Sequence, residues 1–163
     1  MASDSATQVP SQQSVKAYVA GNVVVDAYTA TTTISTLMPR DATVPQNTEG
    51  TEILSASITP RATTSRVKIT VSATSGETSG ADTNVIFAVF KDSDADAIHA
   101  AQLLNSGNAT NNLGGVVVVY VDSPATTSAI TYTVRVGPHT GTLNLNTLYG
   151  TAGGTRLILE EIL

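Results

Sequence analysis

The chain has no cysteine and no tryptophan, and its aromatic residues are limited to five Tyr and two Phe. Without cysteine there are no disulfides, no thiolate metal sites and no cysteine nucleophiles. Stability must come from packing within the chain or from burial between subunits. With so few aromatics, the core has to be built from Val, Ile, Leu and Ala. Charge is also scarce: charged residues make up 13% of the chain, and the eight Lys and Arg are scattered singly against a net charge of -5. Nucleic-acid binding needs clustered cations to displace counterions, so that class is set aside. No window approaches the ~20 apolar residues of a membrane-spanning helix, so no membrane insertion is expected. Residues 1–14 contain neither a basic n-region nor an apolar h-region. No signal peptide is therefore expected. Synthesis in the cytoplasm follows, with export only by lysis or inside a particle.

What the chain does have is alternation. Val67, Ile69 and Val71 alternate with Arg66, Lys68, Thr70 and Ser72, and Ile130, Tyr132, Val134 and Val136 alternate with Thr131, Thr133 and Arg135. A period of two places each apolar set on one face of a half-buried strand. Twenty-six Thr and fifteen Ser accompany them, and β-branched Thr suits a pleated surface. At 163 residues the chain fits one domain, residues 22–163, preceded by an arm, residues 1–21.

Within the arm, Ser11 to Ala20 forms a short helix in this reading, with Ser11 as N-cap and Gly21-Asn22 as the stop. Residues 22–36 read as one or two strands, and residues 37–50, with Pro39, Pro45 and Gly50, as a long ordered loop. Strands are expected over 51–59, with Leu54, Ala56 and Ile58 inward, and then over 65–73, 84–90, 116–121, 129–136, 142–148 and 156–163. Residues 74–83, 105–115, 137–141 and 149–155 read as turns or loops, and 92–104 as a turn leading into a short helix or strand. The segments NVIFAVF (84–90) and VVVVYV (116–121) are apolar on both faces. Each is therefore expected to have two buried neighbours, and VVVVYV points to oligomerisation. About eight strands at this spacing suit an all-β, jelly-roll-like antiparallel β-sandwich.

The ordered segments VPQNTEGTEIL, SITPRATTSRVKITVS, VIFAVFKDSDADAIHA and DSPATTSAITYTVRVGP, followed by a Gly-rich turn and LILEEI, resemble a domain common near the C-termini of tailed-bacteriophage fibre and tail proteins. The stretch ATQVPSQQSVKAYV resembles the helix that often precedes such domains. The likeness spans residues 5–163. It implies a homotrimeric β-sandwich on a virion, acting as a knob that binds a host surface glycan or protein, or as a structural cap. The chain departs from that family in having no long shaft before Val44. A separate tip, head fibre, collar piece or capsid decoration protein therefore stands beside a tail fibre. In each case the N-terminal arm would contact other virion proteins.

Asp92, Asp94 and Asp96 form D-x-D-x-D, the opening of a calcium loop, but Ala97 and Leu103 stand where an EF-hand needs Gly and a bidentate Glu. The bland alternative is a charged turn after a buried strand. His99 and His139 are the only histidines; in a trimer, one near the axis would be repeated three times. No G-x-S-x-G is present. Glu49, Glu52, Asp122, Glu160 and Glu161 are the carboxylates available for glycosidase chemistry, with Glu160 and Glu161 read more simply as capping the last strand. No lysine or helix follows Gly114-Gly115 or Gly153-Gly154 to make a phosphate cradle. The expectation is a non-enzymatic virion structural protein with no cofactor. Its recognition surface is placed on loops 105–112, 74–83 and 138–141. The alternative is a capsid or neck decoration protein that stabilises the particle without a receptor.

Overall fold

The computed structural model describes residues 23–28, 30–73, 76–79, 84–103, 111–147 and 154–163. The expected N-terminal helix and the tips of two expected recognition loops, at 80–83 and 105–110, lie outside the described residues. Every element among the described residues is a strand: β1 (Val23–Tyr28), β2 (Thr32–Ile34), β3 (Thr51–Ile58), β4 (Arg66–Ala73), β5 (Gly76–Thr78), β6 (Val85–Lys91), β7 (His99–Leu103), β8 (Asn111–Leu113), β9 (Val116–Asp122), β10 (Ile130–Pro138), β11 (Leu143–Leu145) and β12 (Thr155–Ile162).

These strands form three four-stranded sheets: β1-β12-β4-β9, β3-β10-β6-β7 and β2-β11-β5-β8. All neighbours pair antiparallel. The eight strands of the first two sheets, counted among themselves in chain order, run 1-8-3-6 and 2-7-4-5. The four short strands of the third sheet each sit in a connection between two of those eight.

The alternation seen in the sequence determines what the two large sheets enclose. Val67, Ile69 and Val71 of β4 and Leu157 and Leu159 of β12 share a core with Val85, Phe87 and Val89 of β6 and Tyr132, Val134 and Val136 of β10. In β3, Leu54, Ala56 and Ile58 are buried as expected. Ile53 is buried beside Leu54 because the β3–β10 register shifts between Val134 and Arg135. Such a bulge lets two consecutive residues turn inward. Leu143 and Leu145 of β11 and Ile34 of β2 extend the same core under the small sheet.

β6 is buried on both faces, as its sequence required. Its outer residues Ile86, Ala88 and Phe90 pack with Met38, which the segment 35–50 carries across the outside of the second sheet. This strap is pinned at both ends. Met38 N–H donates to Pro138 O (3.0 Å) and Gly50 N–H to Leu37 O (3.0 Å). At the far end Asn47 N–H donates to Ala95 O (2.8 Å) and Ala97 N–H to Pro45 O (2.9 Å). Gly50 has φ +59, and a Cβ there would come within 2.7 Å of Met38 Cε and 2.8 Å of Val136 O. Glycine is thus required both for the backbone and for the close approach.

Three local expectations are corrected. Residues 76–78 and 111–113, expected in turns, are strands because they pair with each other beside β11. Gly137 and Pro138, expected to open a turn, close β10; proline sits at the last ladder position, where its missing N–H costs no bond. Glu160 and Glu161, expected to cap the last strand, lie within β12 and pair with Lys68 and Val67. VVVVYV is buried on one face within the chain: Val118 is inward, whereas Val117, Val119 and Val121 face out, and no described residue supplies the second neighbour.

Met38 is the strap's only contribution to the apolar cluster over β6. Met38→Ala should therefore lower unfolding stability by ~2–5 kcal/mol, as large-to-small core changes do. The exposed Val44→Ala on the same strap should shift it by no more than ~0.5 kcal/mol. Urea unfolding of the two variants checks both.

Candidate functional site

The first sheet turns one face inward, and among the described residues nothing covers the other. Val25 of β1 pairs with Ile158 of β12, Ile158 with Thr70 of β4, and Thr70 with Val119 of β9. This row is flanked by Val23, Glu160, Lys68 and Val121 on one side and by Ala27, Arg156, Ser72 and Val117 on the other. The five valines are 41–66% exposed, with Val117 the most open at 66%. Scattered exposed valines are ordinary, but a ranked set across one sheet face is informative. β9 is also an edge strand with none of the charged residues that usually guard such an edge until Asp122, which turns inward. The face is basic. Arg66, Lys68 and Arg156 lie on it against one acid, Glu160, whose Oε2 accepts from Lys68 Nζ at 2.9 Å.

The inner side of the same sheet ends in carboxylates. Glu161, Val67 and Asp122 form one inward row. Tyr132 Oη donates to Asp122 Oδ2 at 2.8 Å, and Lys91 Nζ lies 3.4 Å from the same oxygen. Burial, and then the hydrogen bond to Asp122, push the Tyr132 phenol far above its ordinary value. Glu161 Oε1 accepts from Arg61 N–H at 2.6 Å, with Arg61 Nε 3.6 Å from Oε2. Buried charges persist when paired and hydrogen-bonded, and these close the end of the core. The sequence already carried this signal, since Glu161 is in phase with Leu157 and Leu159, and Asp122 with Val118 and Tyr120.

The other sequence candidates are held apart. Asp92 Oδ1 accepts from Thr131 N–H (2.9 Å), Asp96 Oδ1 accepts from Gln46 Nε2 (2.7 Å), and Asp94 is tied through its backbone to Lys91 and Asn47. The turn thus fastens the strap, and among the described residues no three His, Asp or Glu side chains converge on a metal position. Glu49 Oε2 accepts from Gln46 N–H (2.9 Å), and Glu52 lies 3.6 Å from Arg135. His99 stacks on Tyr120, ring centroids 5.0 Å apart, joining β7 to β9. His139 Nδ1 accepts from Arg40 N–H at 2.9 Å. Gly114 links β8 to β9 with open space around it.

No family model matches the chain, and no curated protein matches it. Two solved structures of infectious bursal disease virus are similar. One is of the Gx strain, at 10% identity and TM-score 0.36 over 86% of this chain. The other is of the Gt strain, at 12% identity and TM-score 0.37 over 89% of this chain. The chain spans 37–38% of the length of those viral chains. A likeness at that level bears on neither family nor function.

Two measurements test this site. Tyr132→Phe removes the short donor to Asp122 and should cost ~1–3 kcal/mol in urea unfolding, the usual penalty for an unsatisfied buried acceptor. Asp41, fully exposed at the strap's turn, has its carboxyl held below the ordinary aspartate range by hydrogen bonds from the Thr43 hydroxyl and then the Thr43 amide. Its folded value is depressed, so its contribution to stability is present above the unfolded value and is lost as pH falls through the folded one. Carbon-13 titration should find Asp41 low in the native chain and shifted upward in Thr43→Ala.

Proposed function

We propose that the chain is a non-enzymatic bacteriophage virion structural protein: a trimeric jelly-roll knob on a fibre, tail or head appendage that takes part in host attachment. The ordered sequence segments that resemble phage fibre domains support the setting. The strand orders 1-8-3-6 and 2-7-4-5 support the jelly roll, in which eight strands form two facing antiparallel sheets. The uncovered valine face supports assembly and is the observation that carries the proposal.

Charge favours a ring over a two-fold dimer. An isologous contact would set Arg66, Lys68 and Arg156 against their own copies. A heterologous contact can seat this basic face on an acidic surface of the next copy, such as the exposed Asp92–Asp96 turn, on a chain of net charge -5. Closure after three such steps gives a trimer. The N-terminal arm, residues 1–21, then docks the knob on other virion proteins.

Light scattering of the purified chain should report a trimer, and Val119→Lys a monomer of unchanged fold. A wild-type chain that stays monomeric at high concentration defeats the assembly claim. Particles lacking the protein should lose adsorption to host cells while keeping their heat stability. Fragile particles with normal adsorption would instead make it a decoration protein.

A further inference from the structure

The strap does more than cover β6. Between residues 39–45 and the outer face of β7 it leaves an open groove of about 210 Å³. The floor is apolar, formed by Ile86 and Ala100, with Pro39 on the wall. Four polar side chains, Arg40, Asp41, Thr43 and Gln102, also line it. The walls are preformed: Met38 and Arg40 are tied by their amides to Pro138 O and His139 Nδ1, and Ala97 N–H closes on Pro45 O. A ligand entering this groove would meet little ordering cost.

The polar lining is selective by its combination. Among the described residues no carboxylate lies within ion-pair distance of the Arg40 guanidinium. A planar guanidinium left open suits a carboxylate. Asp41, next in the chain, is an acceptor whose Oδ1 is fixed by Thr43 N–H at 2.8 Å, and it suits hydroxyl donors. A bare anion would be repelled by Asp41, and a neutral polyol would leave Arg40 unused. The apolar floor suits the C–H face of a ring. The volume lies below the roughly 300 Å³ of a drug-sized pocket, so it admits one small unit.

We propose that this groove binds a single carboxylate-bearing sugar residue: the acid on Arg40, ring hydroxyls on Asp41 and Gln102, and the apolar ring face on Ile86 and Ala100. This names a ligand class for the attachment role proposed above and rests on that role only for its biological setting.

The test is titration of the full chain with glucuronate, glucose and acetate, followed by amide NMR at residues 86 and 100–102. Glucuronate should give saturable shifts there, with glucose and acetate at least about tenfold weaker, the loss expected when one charge-assisted contact is missing. Arg40→Gln should weaken glucuronate by a similar factor and leave the spectrum otherwise folded, because the Arg40 side chain is exposed and makes no ion pair among the described residues. Gln102→Ala should weaken it less. Acetate matching glucuronate would reduce the groove to an adventitious ion site only. Glucose matching it, or no localised shift, would also overturn the proposal. A chain that binds glucuronate on particles that adsorb normally without it would retire the attachment role and leave the groove standing.

Discussion

The structure depends on one constraint: a strand with two apolar faces needs a cover on each. β6 meets it with the core on one side and Met38 on the other. That requirement explains the strap. It accounts for Gly50, where any side chain would strike Met38 and Val136. It also accounts for the Asp92–Asp96 turn, where Asp94 O and Asp96 Oδ1 accept from Asn47 and Gln46 at the strap's far end. The second sheet is therefore closed by the chain itself. The first sheet has no such cover among the described residues, and its valines stand in ordered rows. The asymmetry between the two sheets is the basis of the proposed assembly.

Polar groups follow the same economy. Glu161, Asp122, Glu49, Glu52 and Glu160 each have their own cation or N–H, on separate parts of the surface or the core end. The lining of the strap groove differs in kind, since the Arg40 side chain is exposed and, among the described residues, ion-paired to no carboxylate.

Much of the fold was legible because strands have a rigid period. Leu54, Ala56, Ile58, Leu143 and Leu145 are inward as their spacing required. The short strands were hidden because β5 and β8 gain their identity only from pairing beside β11, a long-range contact with no local pattern. VVVVYV was only half legible for a related reason. Hydrophobicity says a face prefers burial; only the chain's path decides whether anything arrives to bury it. The strap reached β6 and did not reach β9. The groove could not be foreseen either, because Arg40 and Gln102 meet through the strap's path and not through sequence spacing. The buried Asp122 and Glu161 were in phase with their apolar neighbours, so period two could have found them had their charge not argued for the surface.

In the proposed assembly the valine face of the first sheet is covered. Since the chain has no cysteine, a single thiol at Val119→Cys reports that face alone, and Val44→Cys on the exposed strap serves as reference. Maleimide labelling at assembling concentrations should modify the thiol at position 119 far more slowly than that at 44, with the difference vanishing on dilution. Equal rates at every concentration would contradict the account.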